Sequence, residues 1–146
     1  MAYLVDTNCF VRLAEQGSPG RSTVLRALSK LHASGESLCV TPQVIGEFWN
    51  VCTRPTSARG GLGLDIASTD RKVRLIERHF RLLPDNLATF VEWRRLLLEN
   101  SIQGVQVHDA RIVASMAIHN ISHLLTFNTS DFRRFAGTTV IDPSDV

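Results

Sequence analysis

The chain has 146 residues, 44% of them hydrophobic and 21% charged, with a formal net charge of +2. That length suits one domain with a core of its own, the balance excludes a disordered chain, and no apolar run approaches the roughly 20 residues of a membrane helix. Three cysteines (Cys9, Cys39, Cys52) are odd in number and form no CxxC pair, which argues against structural zinc and for reduced thiols in a cytoplasmic protein.

The opening MAYLVDTN reaches an acid at its sixth residue and lacks the basic start and apolar stretch of a secretory signal. Tyr3-Leu4-Val5 reads as a buried strand that stops at Asp6. Helical spacing through Phe10, Val11 and Ala14 runs to a break at Gly17-Ser18-Pro19-Gly20. A second helix is expected from about Ser22 to Gly35, carrying Val24, Leu25, Leu28 and Leu31, and Ser37-Leu38-Cys39-Val40 is the next strand. Thr41 before Pro42 predicts a helix start, since the hydroxyl can cap and proline is at home in the first helical position.

That third helix should reach about Cys52, and Gly60-Gly61-Leu62-Gly63 is a loop. From Arg54 to Arg81 seven Lys/Arg face three acids, a basic stretch that suits either phosphate contacts or a solvated helix face. A fourth helix is expected from about Ser68 to Phe80, a brief strand at Leu82-Leu83, and a fifth helix from Asn86 to Glu99. The sixth begins near His108 and ends near Asn120, and strands follow at Ser122–Thr126 and Thr138–Ile141. Short apolar strands alternating with helices imply a parallel sheet covered on both faces. With no repeat and no linker, residues 1–146 form a single domain.

Three acids point to the carboxyl edge of that sheet, where open α/β sheets bind ligands. Asp6 follows the first strand, and Glu47 flanks the stripe of Val44, Ile45, Phe48 and Val51. Asp109 is flanked at helical spacing by Ile112 and Val113, then by Met116 and Ala117, so it belongs to a face that should be buried. Taken singly, Asp6 and Asp109 suit helix caps and Glu47 a snorkelling edge residue. Taken together, buried carboxylates with no basic neighbour call for a hard divalent cation, Mg²⁺ or Mn²⁺.

At these residues the sequence resembles PIN domains. LVDTN resembles their opening, TPQVIGEFWNV their second acidic helix, VHDARIVASMAIHNISHLLTFNTSDF their C-terminal block and VIDP their last strand. The compact single-domain form most resembles VapC-type toxins of toxin–antitoxin pairs. The resemblance implies a Rossmann-like three-layer α/β/α sandwich and Mg²⁺-dependent hydrolysis of RNA by an activated water, with Mn²⁺ as a substitute. It carries Asp6, Glu47 and Asp109 onto the family's first three acids, with Asp6 and Asp109 as principal metal ligands and Glu47 as a ligand or a positioner of the attacking water. Many members have Asp where this chain has Asn128, and Asp131 matches the acid of the terminal DF as a fourth carboxylate and metal ligand. Asn8, Thr126 and Asn128 match supporting positions. A small antitoxin, an RNA substrate and a homodimer are implied as partners, with the apolar residues around Phe48, Trp49 and Val51 as one possible contact.

Two other readings compete. A PIN-like RNA-binding or interaction module with little or no catalysis is favoured by Asn128 and opposed by Asp6, Glu47 and Asp109, since a pure binder gains nothing from crowding anions against phosphates. A haloacid-dehalogenase-like phosphotransferase needs DxDxT, whereas DTNCF lacks the second Asp. His108 reads as a substrate contact or an exposed or capping histidine, and the four-residue spacing of His119 and His123 is broken by Ile121-Ser122, which leaves the helix.

Overall fold

The computed structural model describes residues 1–146. Five strands form one sheet: β1 Ala2–Val5, β2 Ser37–Val40, β3 Arg81–Leu82, β4 His123–Leu125 and β5 Thr139–Ile141. Their order is β3-β2-β1-β4-β5 and every pairing is parallel, with Leu4 opposite both Cys39 and Leu124. Leu4, Val5, Cys39, Val40, Leu124 and Leu125 have no exposed surface, as expected of strands covered on both faces.

Seven helices cover the sheet: α1 Thr7–Ala14, α2 Pro19–Ala33, α3 Pro42–Thr53, α4 Ile66–His79, α5 Leu87–Glu99, α6 Gln106–Ile118 and the single turn α7 Thr129–Phe132. Helices α1 to α4 pack in one group and α5 packs on α6, giving the three-layer α/β/α sandwich that the resemblance implied. Phe10 joins the first group by edge-on contacts with Phe48 (6.2 Å) and Phe80 (5.0 Å). No helix is long and apolar enough to cross a membrane.

Local chemistry sets most boundaries. Thr41 caps α3 by accepting from the Val44 amide at 3.2 Å, and Asn86 caps α5 by accepting from the Thr89 amide at 2.9 Å. Helix α2 starts three residues before the expected Ser22, because Pro19 occupies its first position instead of breaking it. Helix α4 begins at Ile66 and not Ser68, because Asp65 is the cap and accepts from the Ser68 amide at 2.6 Å. Helix α7 was not expected, since one turn carries no periodic signal. Of the residues expected to offer an apolar contact, Trp49 and Val51 are half-buried and Phe48 is buried. Phe48 is a core residue, and the half-buried Trp49 packs against that core.

Strand order reverses at β1. The chain moves outward through β2 and β3 on one side, then crosses to β4 and β5 on the other. The crevice between the carboxyl ends of β1 and β4 is therefore a topological switch point, where α/β folds open room for a ligand. Asp6 and Thr126 are the residues that follow those two strands.

Candidate active site

Asp6 is 6% exposed. Its Oδ1 accepts from the Thr7 amide at 2.7 Å, so it does cap α1, as one reading of the sequence held. Its Oδ2 accepts from Thr126 Oγ1 at 2.7 Å and from Asn8 Nδ2 at 3.3 Å. Thr126 Oγ1 is fully used: it also accepts from Asn8 Nδ2 and from the Asn128 amide, both at 3.0 Å. Asn8 completes the frame by accepting from the Phe127 amide at 3.2 Å. Asn8 and Thr126 thus tie the two strand ends together around one carboxylate.

Glu47 sits half-buried in the second turn of α3. One oxygen accepts from Thr7 Oγ1 at 2.8 Å and the other from Gln43 Nε2 at 2.9 Å. The same Gln43 nitrogen donates to the His108 carbonyl at 2.9 Å, which ties α3 to the first turn of α6, and Gln43 Oε1 is left buried without a partner. Thr7 and Gln43 were not singled out from the sequence. Their signals were present: Thr7 lies inside the DTN triplet, and Gln43 is one helical turn before Glu47.

Asp109 is half-buried in the first turn of α6. The buried residues there are Ala110 and Ile112–Met116, whereas Ala117, expected inside, is exposed near the C-terminal end of the helix. Asp131 stands exposed in the first turn of α7, and the exposed Asn128 precedes that turn without capping it.

The electrostatics bind these positions into one site. Burial raises the Asp6 carboxyl above its ordinary range, opposed by the Thr126 and Thr7 hydrogen bonds and reinforced by the charges of Glu47 and Asp131. Asp109 is pushed up to about 6, first by burial and then by Asp131, Asp6 and Glu47, with His108 the one opposing charge. None of the four acids has an ion-pair partner; the pairs of this protein use Glu36, Asp70, Asp85, Glu92 and Glu99. The four carboxylates therefore feel one another without closing into one coordination sphere, since no three His, Cys, Asp or Glu side chains approach closely enough to hold an ion together.

Other candidates fall away. Cys9 is buried, and burial pushes its thiol up, so it is no nucleophile. His119 Nε2 faces the Pro84 carbonyl at 3.0 Å, and His123 pairs with Ser122 Oγ and stacks beside Tyr3, so the two form no joint site.

The PIN-domain family model matches residues 3–138 of this chain. The chain belongs to the PIN-domain family. No curated protein matches it significantly. Among solved structures, this PIN domain is similar to VapBC2 from Rickettsia felis bound to a DNA fragment from their promoter, at 16% identity and a TM-score of 0.75, over 97% of this chain and 98% of that one. It is similar to a toxin–antitoxin complex from Klebsiella pneumoniae (21% identity, TM-score 0.67, 99% of each chain). A third is VapC20 from Mycobacterium tuberculosis, a sarcin-ricin loop cleaving toxin (20% identity, TM-score 0.61, 88% of this chain and 92% of that one). At such identities the likeness is one of fold.

Proposed function

We propose that this PIN domain is a divalent-metal-dependent endoribonuclease and the toxin of a toxin–antitoxin pair. The observation that carries the reading is the group of Asp6, Glu47, Asp109 and Asp131: burial and the charges of Glu47 and Asp131 raise the proton affinity of Asp6 and, together with Asp6, that of Asp109, and none of the four is ion-paired. An all-carboxylate set suits a hard ion, and because the side chains do not close on a single point, it suits Mg²⁺ that keeps several waters, with Mn²⁺ as a substitute. Asp6 and Asp109 would hold it from either side of the crevice, and Asp131 would add a fourth charge at the rim. When bound, such an ion lowers the pKa of water, aligns substrate and neutralises charge developing at phosphorus. Thr126 and Asn8 fix the Asp6 rotamer, and Thr7 and Gln43 fix Glu47, which would serve as a further ligand or position the attacking water. The toxin assignment draws on fold neighbours that are toxins or toxin–antitoxin complexes.

An antitoxin is the partner we assign to the cleft of about 630 Å³ between α1, α2 and α4, where Leu25 and Leu75 stand about half exposed beside Phe10, Leu13, Leu28 and Phe80. A second copy is assigned to the outer face of α5, where Leu87, Phe90, Val91 and Leu98 share one side and are all exposed. Cellular RNA incubated with the antitoxin-free protein in Mg²⁺, Mn²⁺ or EDTA tests the main claim. Cleavage should require the metal and vanish in Asp6→Asn and Asp109→Asn. Binding of RNA without cleavage by the wild type would favour the inert-module reading, for which the exposed Asn128 is the best argument.

A further inference from the structure

A second cleft, of about 560 Å³, shares Glu47 with the acidic crevice and runs away from it between α3 and α6. Its α3 wall is Gln43, Gly46, Glu47 and Asn50, a spacing that puts all four on one face, away from the buried stripe of Val44, Phe48 and Cys52. Opposite them stand His108 and Arg111. Pro42 apart, no lining side chain is apolar, which disfavours a hydrophobic peptide or lipid as occupant.

Gly46 has no structural reason to be glycine. It sits inside α3, where glycine is the poorest helix former after proline, its φ is not positive, and a Cβ added there meets no heavy atom within 4 Å. What the missing side chain leaves is open floor in the cleft, the arrangement used where another backbone must come close. Arg111 is the sole Lys or Arg of the lining. It is 41% exposed and gives one nitrogen to Asp85 at 3.0 Å, so most of its planar fork is free for the oxygens of a phosphate. An exposed pair of this kind is readily exchanged. Asn50 and His108 are exposed and their side chains make no hydrogen bond, so both are free to meet a sugar or a base edge.

The geometry points to this cleft as the seat of a nucleotide that flanks the scissile phosphodiester of single-stranded RNA, with Arg111 holding its phosphate and the bare surface of Gly46 admitting its backbone. The assignment rests on the nuclease reading, because Glu47 borders both clefts. Arg111 acts in binding here and touches no reacting atom.

The test uses a fluorescein-labelled, mixed-sequence, single-stranded RNA and fluorescence anisotropy in Mg²⁺, on an Asp109→Asn background that leaves the RNA intact. Arg111→Ala should weaken binding about 5- to 10-fold and reduce the slope of log K against log salt by about 0.7, the share of one single-strand phosphate. Gly46→Leu should weaken it similarly, while Gly46→Ala, which suits the helix, should weaken it less. Asp85→Asn should tighten binding about 2-fold by freeing the guanidinium, whereas a purely structural pair would make Asp85→Asn and Arg111→Ala behave alike. Affinities of Arg111→Ala and Gly46→Leu within 2-fold of their parent, with unchanged melting curves, would overturn the assignment, as would no RNA binding by the parent. The two readings fail separately: a wild type that cleaves RNA with indifferent cleft variants sinks only the cleft, and cleft-dependent binding without wild-type cleavage sinks only the nuclease.

Discussion

At the carboxyl ends of β1 and β4 this protein buries charge, and between α1, α2 and α4 it exposes hydrocarbon. The acidic crevice holds Asp6 and Asp109 against a rising cost of ionisation, and neither is ion-paired to a Lys or Arg. The apolar cleft, of about 630 Å³, leaves Leu25 and Leu75 about half exposed. Neither helps the isolated chain fold: unpaired buried carboxylates and wet apolar surface both reduce stability. Strain of opposite kinds calls for partners of opposite kinds, a cation for the first and an apolar protein surface for the second. The two clefts should accordingly fail independently.

The largest expected effect comes from Asp6→Asn, which keeps the shape of the site and removes the charge at its most buried point. RNA cleavage should fall by about three orders of magnitude, as when a preorganised electrostatic contact is lost, while affinity for the antitoxin stays within a few fold. Leu25→Asp with Leu75→Asp should do the reverse. Each side chain is worth about 1.5–3 kcal/mol when buried against a partner, so antitoxin binding should weaken by about 100-fold or more, with cleavage unchanged in an antitoxin-free assay. A variant of either cleft that disables both activities while remaining folded would break the comparison. Thr126→Val is the milder probe. It removes the 2.7 Å hydrogen bond to Asp6 and strips Asn8 and the Asn128 amide of an acceptor. Metal affinity, measured by Mn²⁺ titration, should drop about 10- to 100-fold, and Thr126→Ser should restore most of it.

How much of this could be read from the sequence follows from the range of the forces involved. Asp6 and the Thr41-Pro42 helix start were legible because each acts on a backbone group within three residues, and the start of α5 was placed to within one residue, Asn86 proving to be its cap. The burial of Asp109 was legible in direction, from the apolar residues spaced around it. The placement of Ala117 was not, because what encloses α6 comes from distant parts of the chain. Thr7 and Gln43 carried a local hint, the DTN triplet and the four-residue step to Glu47, but the contacts that give them a role reach Glu47 and His108, 40 and 65 residues away. The polar face of α3 was overlooked because a search for a buried stripe passes over the side opposite it, where Gly46 carries its information by having no side chain at all.

The smallest effect, and the one that isolates buried charge from catalysis, is the pH dependence of stability in the metal-free protein. The Asp109 carboxyl titrates near 3.8 in the unfolded chain and at about 6 in the folded one. Below about pH 4 it is protonated in both states and contributes nothing. Between about pH 4 and pH 6 the unfolded chain loses its proton first, so the folded state binds more protons and stability falls as pH rises. Above pH 6 the penalty is constant. A full-strength conversion would give about 3 kcal/mol; half of the group is solvated, so screening leaves about 1–2 kcal/mol. The helix dipole at the first turn of α6 works the other way by about 0.3–1 kcal/mol and does not reverse the sign. Asp109→Asn should therefore raise the denaturation midpoint at pH 7.5 and leave it unchanged at pH 4, where the wild-type group is already neutral. Mg²⁺ should stabilise the wild type at pH 7.5 and fade towards pH 5, as protons displace it from the same oxygens. If Asp109→Asn lowered the midpoint at pH 7.5 and not at pH 4, the ionised carboxylate would be contributing to the fold, and the contrast between the two clefts would lose its acidic half.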